Sequence, residues 1–377
     1  MAIALPEMVA RPLESYIRRR EAQLTRDFVA EREAFTAEMG WGLKYLHLGD
    51  DGRREEPAKA FDDFCQSALQ SSDGFFRPRD NAALIQTGDD LWFESPASTG
   101  SEQNDRALCR LFETGRPVGT VIVLPHWNGS RREFFPLARV FRLAGLQTIV
   151  ATLPYHDERR PSGGQFDTHM VSPNVGRTLN AVRQAVAEAR TLVRWARREQ
   201  PGPVFLYGLS LGSAIASMAA AHEPQVAGLV LVLTAAHFAD VVWEAEVTSH
   251  ILSSFTGKID LPRLRHHWEP ISPVTYAHLH GRNRTPQLLI EAQYDDVMRR
   301  PNLRALLDAY EEHKVPYTAH CLPCGHQTIG TLPFSYWQAI LAARFIRHCA
   351  LNAQEHYQRP GLDKPAAVRK GNDDATG

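Results

Sequence analysis

VFLYGLSLGSAIASMAAA, residues 204–221, poses the central question of this chain. An apolar run ends in Gly208-Leu209-Ser210-Leu211-Gly212, and a helix-like run of small residues follows. Such a strand-turn-helix lifts the serine hydroxyl out of a sheet, because the flanking glycines let neighbouring backbones pass closely. The same pentapeptide also suits a plain glycine turn. Ser210 is a candidate nucleophile only if the rest of the chain supplies an acid, a histidine and an oxyanion site in matching places.

Working outward, strands alternate with helices. AALIQT and LWFES read as early strands, and GTVIVLP (119–125) as a buried one. LQTIVATLP (146–154), PVFLYG (203–208), GLVLVLT (228–234), QLLIEAQ (287–293) and YTAHCLP (317–323) continue the series. Leu179, Val182, Val186, Ala189, Val193 and Ala196 recur at helical spacing, which predicts a long amphipathic helix over 175–199. Helices are also expected over 211–222, 301–313 and 334–350. The alternation predicts an α/β fold: a mostly parallel central sheet with helices on both faces. In such sheets chemistry gathers at the carboxyl ends of the strands.

Three strand ends carry reactive side chains. Ser210 follows 203–208. Tyr294-Asp295-Asp296-Val297 follows 287–293, and Asp295 is preferred over Asp296 as the acid. HCLPCGHQT (320–328) follows the last strand and places His326 on a loop. A serine hydroxyl is a poor nucleophile near neutral pH and needs a base. His326 would take the proton and return it to the leaving group, while the aspartate orients the imidazole.

The order Ser210, Asp295, His326, each after a strand, resembles the serine branch of the α/β-hydrolase superfamily over about residues 83–350. The serine sets the chain apart from the haloalkane dehalogenases and epoxide hydrolases, which place aspartate at the elbow. The resemblance implies an oxyanion loop after strand 119–125. The family's His-Gly-x-x-Gly reads here Pro125-His126-Trp127-Asn128-Gly129. It makes Trp127 and Leu211 the backbone N–H donors, with His126 departing from the usual glycine. His126, Tyr155 and Trp243 are the candidate substrate contacts. Arg159 and Arg160 either receive an acidic substrate group or form an internal ion-pair network. Trp243, Phe255 and Trp268 line an acyl pocket or anchor residues 236–281, which are either part of a cap or a long crossover. HFADVVWEAEVTSHILSSF reads as helix, and LPRLRHHWEPISP as an irregular return.

The expected reaction is cleavage of a carboxylic ester through an acyl-enzyme. The same triad serves peptidases or amidases, thioesterases, lipases and acyltransferases, and a non-catalytic binding protein of this fold is the rival from another class. The 377 residues are 44% hydrophobic and 23% charged, with a net charge of −1, so no overall field draws nucleic acid or anionic membrane. The expected partner is a small acyl substrate. Five cysteines do not make a disulfide framework, which favours a reducing, cytoplasmic setting. Cys321-Leu-Pro-Cys324-Gly-His326 has no second ligand pair at zinc spacing, and no Gly-x-Gly-x-x-Gly or phosphate loop is present; neither metal nor cofactor is expected. No signal peptide or membrane span is read. Residues 1–82 form a charge-rich helical extension with Leu13, Tyr16, Ile17, Leu24 and Phe28 as its apolar stripe, packed on an 83–357 hydrolase domain. That extension is also a candidate homodimer surface. Residues 358–377 read as a disordered tail.

Overall fold

A computed structural model describes residues 7–31, 37–53, 56–161 and 168–358. The expected tail, apart from its first residue, lies outside them.

The chain begins with helices α1 (Glu7–Ala30), α2 (Pro57–Gln70) and α3 (Ser72–Phe75). Strands β1 (Ile85–Thr87), β2 (Asp90–Glu94), β3 (Arg106–Phe112) and β4 (Gly119–Leu124) follow. Next come α4 (Phe135–Leu143), β5 (Leu146–Ala151), α5 (Val175–Glu199), β6 (Val204–Leu209), α6 (Leu211–His222) and β7 (Gly228–Val232). Four short helices bridge to the last strands: α7 (Phe238–Glu244), α8 (Ser249–Phe255), α9 (Leu261–His267) and α10 (Ala277–Asn283). The chain continues through β8 (Gln287–Ala292), α11 (Arg300–Glu312), β9 (Tyr317–Leu322) and α12 (Phe334–Gln358).

The sheet order is β1-β2-β3-β5-β4-β6-β7-β8-β9. From β5 to β9 neighbouring strands run parallel, whereas β1, β2 and β3 form an antiparallel edge. The central strands are buried throughout, so their side chains alternate between two cores. Ile122, Leu206 and Leu231 face one core with α5 and α6, while Val121, Tyr207 and Val230 face the other with α4 and α12. Leu43, Phe61 and Phe76 join the first core, so the region before β1 shares the core of the sheet domain.

Residues 238–255 are not one helix. The backbone at Ala245 is extended (φ −81°, ψ 138°), and the Thr248 hydroxyl lies 2.9 Å from the carbonyl oxygens of both Val242 and Ala245. The return segment is less irregular than expected: Asp260 accepts a hydrogen bond from the Arg263 N–H, and Pro262 stands in the first turn of α9. Arg265 of α9 grips Asp240 of α7 through two hydrogen bonds of 2.5 and 2.7 Å. Among the described residues no helix is long and apolar enough to cross a membrane.

Candidate active site

The turn after β6 is built by contacts too close for side chains. A Cβ on Gly208 would meet the carbonyl of Gly212, and one on Gly212 would sit on the carbonyl oxygens of Leu124 and Pro125. Between them Ser210 holds φ 54°, ψ −117°, a conformation that non-glycine residues rarely adopt. Its N–H donates to Val232 O of β7 (2.9 Å), and its carbonyl accepts from both the backbone and the hydroxyl of Ser213 (2.8 and 2.6 Å). These bonds offset the strain and fix the hydroxyl above the sheet. Gly212→Ala is expected to cost about 1–3 kcal/mol, because the added methyl must push back main chain rather than a flexible side chain. An unchanged midpoint in denaturant unfolding would contradict this reading of the elbow.

The structure brings Ser210, His326 and Asp295 together. Ser210 Oγ lies 3.0 Å from His326 Nε2. Both Asp295 oxygens lie 3.1 Å from His326 Nδ1. Asp295 Oδ1 also accepts the N–H groups of Val297 (2.9 Å) and Met298 (2.8 Å), which fixes the carboxylate. Asp296 is exposed and makes no hydrogen bond to the imidazole. An ionised carboxylate only accepts, so Nδ1 carries the proton and Nε2 faces the serine as acceptor. Burial alone would push the Asp295 carboxyl up, but the charge and hydrogen bond of His326, with the two backbone N–H groups, hold it below its ordinary value. Burial likewise pulls His326 down, yet the Asp295 charge and hydrogen bond, with Glu21 and Asp296, hold it above the ordinary imidazole value.

The loop after β4 stands beside this triad. The Asn128 backbone is left-handed (φ 59°), and its N–H donates to His156 Nε2 at 2.8 Å. His156 is fully buried, with its Nδ1 2.8 Å from Pro154 O, so its neutral ring ties two loops together. At the position where the family loop has glycine, the His126 ring folds back over Gly129, where a Cβ would strike it. Its Nδ1 donates to Trp127 O (2.9 Å), and its Nε2 lies 3.3 Å from Glu133.

A cavity of about 600 Å³ opens over Ser210 and His326. Trp127, Leu211 and His126 line it, and so does Arg160. The segment 236–281 forms part of its wall through Phe238, Val241, Val242 and Val247. Two expected substrate contacts are corrected. Tyr155 is buried, with its ring 5.2 Å from that of His169, and does not line the cavity. Trp243 is absent from the wall although its neighbours Val241 and Val242 are there: one turn of helix cannot present all three to one side. Phe255 and Trp268 are core anchors, and the Trp268 indole N–H donates to Val175 O (3.1 Å). Arg159 belongs to an internal network, buried against Glu188 at 2.7 Å. Burial pushes the Cys324 thiol up, as suits an inert core cysteine.

Sequence reasoning missed Glu21 and Phe28 as parts of the site. Phe28 lines the cavity and sits 5.7 Å from the Trp127 ring. Glu21 is 3% exposed and accepts the N–H groups of Gln327 (3.0 Å) and Thr328 (2.6 Å). The local signal stops short of the site: an acid four residues after Ile17, on the face that helix α1 buries, marks a buried carboxylate without naming its partners. Tyr16, assigned to the apolar stripe, is exposed, and the side chain of Leu13 lies outside the described residues.

A Ser-His-Asp arrangement on the carboxyl edge of a mostly parallel, helix-covered sheet defines the class by its fold: the chain has the α/β-hydrolase architecture. Its residues 126–253 match the family described as alpha/beta hydrolase domain containing 18. Acetyl xylan esterase 1 from Thermoanaerobacterium sp. JW/SL YS485 is similar in fold, with a TM-score of 0.52 at 16% identity over 87% of this chain and 98% of the esterase. The Pyrococcus horikoshii acylaminoacyl peptidase gives 0.51 at 12% identity, over 75% of this chain and 43% of the peptidase. At such identities the likeness is one of fold. No curated protein matches the sequence significantly.

Proposed function

We propose that the protein is a serine hydrolase that cleaves carboxylic esters with an apolar acyl group through an acyl-enzyme. The observation that carries this reading is the continuous hydrogen-bonded line from Asp295 through His326 to Ser210 at the floor of a cavity. Ser210 Oγ attacks the ester carbonyl while His326 Nε2 takes its proton. The imidazolium that forms is stabilised by Asp295 and then protonates the leaving alcohol. The backbone N–H groups of Trp127 and Leu211 are assigned to the oxyanion; Leu211 opens α6, where first-turn N–H groups have no partner within the helix. Water then enters, His326 activates it, and the acid leaves with Ser210 restored. The valine-rich wall favours an alkyl acyl chain, and the cavity lies within the about 300–1,000 Å³ range of small-molecule sites. Five unpaired cysteines support the cytoplasm as its setting.

The test is turnover of p-nitrophenyl esters from acetate to laurate by the purified full chain. Alongside it, a fluorophosphonate-labelled peptide is mapped by mass spectrometry. The expected result is hydrolysis that prefers an acyl chain longer than acetyl, and a label on Ser210. A label on another serine, or no turnover of any ester by folded protein, would remove the reading.

A further inference from the structure

Helix α1 turns one face to the candidate site. Arg18, Glu21, Thr25 and Phe28 are spaced three, four and three apart, so they share that face. The Arg18 guanidinium lies 4.7 Å from the centre of the Tyr294 ring, beside Asp295. Glu21 receives two N–H groups from the residues that follow His326. Phe28 meets Trp127. One helix therefore touches the acid loop, the histidine loop and the oxyanion loop.

Glu21 is the centre of this contact. Its carboxylate lies under Gly325, where a Cβ would collide with it, so the glycine permits the approach. The loop is also tied internally, by the Gly325 N–H donating to Thr328 Oγ1 (2.9 Å). Among the described residues, Glu21 is what accepts the N–H groups of Gln327 and Thr328 from outside the loop. A buried carboxylate needs such donors, and a loop held by charge-assisted bonds keeps one geometry.

We propose that Glu21 is a positioning residue for His326, making α1 part of the hydrolytic apparatus rather than an appendage. The proposal rests on the serine-hydrolase reading above. Glu21 does not touch substrate. It acts by holding the loop that keeps the imidazole between Asp295 and Ser210.

Glu21→Gln retains the shape but turns one acceptor into a donor against a backbone N–H. The expected result is a fall in kcat of about 10–100-fold with KM nearly unchanged, as for a displaced catalytic group. The negative groups facing His326 are Asp295, Glu21 and Asp296. Removing one of them should move the acid limb of kcat/KM to lower pH. Glu21→Asp keeps the charge but withdraws the carboxylate by one methylene. It should lose kcat as well while leaving the acid limb nearer the wild-type position, and it carries the comparison if the glutamine variant does not fold. Hydrogen exchange of the 320–332 segment, read by mass spectrometry, is independent of turnover. It should quicken in both variants while the β6–β7 core stays protected. Wild-type kcat and acid limb in Glu21→Gln, or unchanged exchange in 320–332, would overturn the proposal. If the wild type hydrolyses no ester, the hydrolase reading falls by itself, and the exchange measurement still decides whether Glu21 holds the loop.

Discussion

Ser210→Ala is expected to lower kcat for a p-nitrophenyl ester by about 10⁵–10⁶-fold and leave KM nearly unchanged. The reason lies in what the variant retains. The cavity, the oxyanion loop and the His326–Asp295 pair do not depend on the hydroxyl, whose partner among the described side chains is His326 Nε2. Binding therefore survives while the bond-forming oxygen is lost. The left-handed backbone at Ser210 is held by its bonds to Val232 and Ser213, which alanine keeps. Thermal stability should accordingly stay close to wild type. Stopped-flow release of p-nitrophenol with matched unfolding curves checks both halves. Retention of a tenth of the activity would mean that another group attacks the ester.

Asp295→Asn should cost about 10⁴-fold in kcat, by a mechanism the geometry specifies. The Val297 and Met298 N–H groups both point at Oδ1, so they would keep the amide oxygen there. The amide nitrogen then takes the other position and donates toward His326 Nδ1. That forces the imidazole proton onto Nε2, where it faces Ser210 and cannot accept from it. The pH profile reports the same change. In the wild type His326 sits above the ordinary imidazole value of 6.5, so kcat/KM should fall as pH drops through a midpoint above 6.5. The Asp295 carboxylate is the main cause of the upward shift, and burial opposes it. With the carboxylate gone, burial and the remaining Glu21 and Asp296 charges set the value, and the acid limb should move down. A limb that stays in place in the asparagine variant would mean that another group titrates there.

Much of this was legible in the sequence. The long helix over 175–199 and the short one over 211–222 are observed at those bounds, because apolar periodicity, small residues and clear stops agree there. The three reactive side chains could be placed because each follows a strand, and strand ends converge on one edge of a parallel sheet. β3 is not read from the sequence: RALCRLF alternates, but its arginines fall on an exposed and a half-exposed position and hide a strand that is buried on one side only. The break at Ala245 depends on a threonine hydroxyl meeting carbonyls, which periodicity does not register. Asp260-Leu261-Pro262 was a readable helix start that the surrounding histidines and prolines obscured. Tyr155 is suggested by its place after a strand end and Trp243 by its place in the candidate cap segment, but side-chain direction takes both away from the cavity. Glu21 was out of reach for another reason: its partners lie 306 and 307 residues away, and no local rule links them.

That separation also has a meaning in time. A ribosome adds about 5–20 residues per second, so the 306 residues between Glu21 and Gln327 take roughly 15–60 s to emerge. Late in that interval, once β4, β6 and β7 have been made, the nucleophile elbow can form around Gly208, Ser210 and Gly212. The histidine loop cannot yet be clasped. The nascent chain thus passes through a stage with its serine in place but no base to arm it. Hydrolytic competence arrives late, when a segment made early closes on one made 306 residues after it.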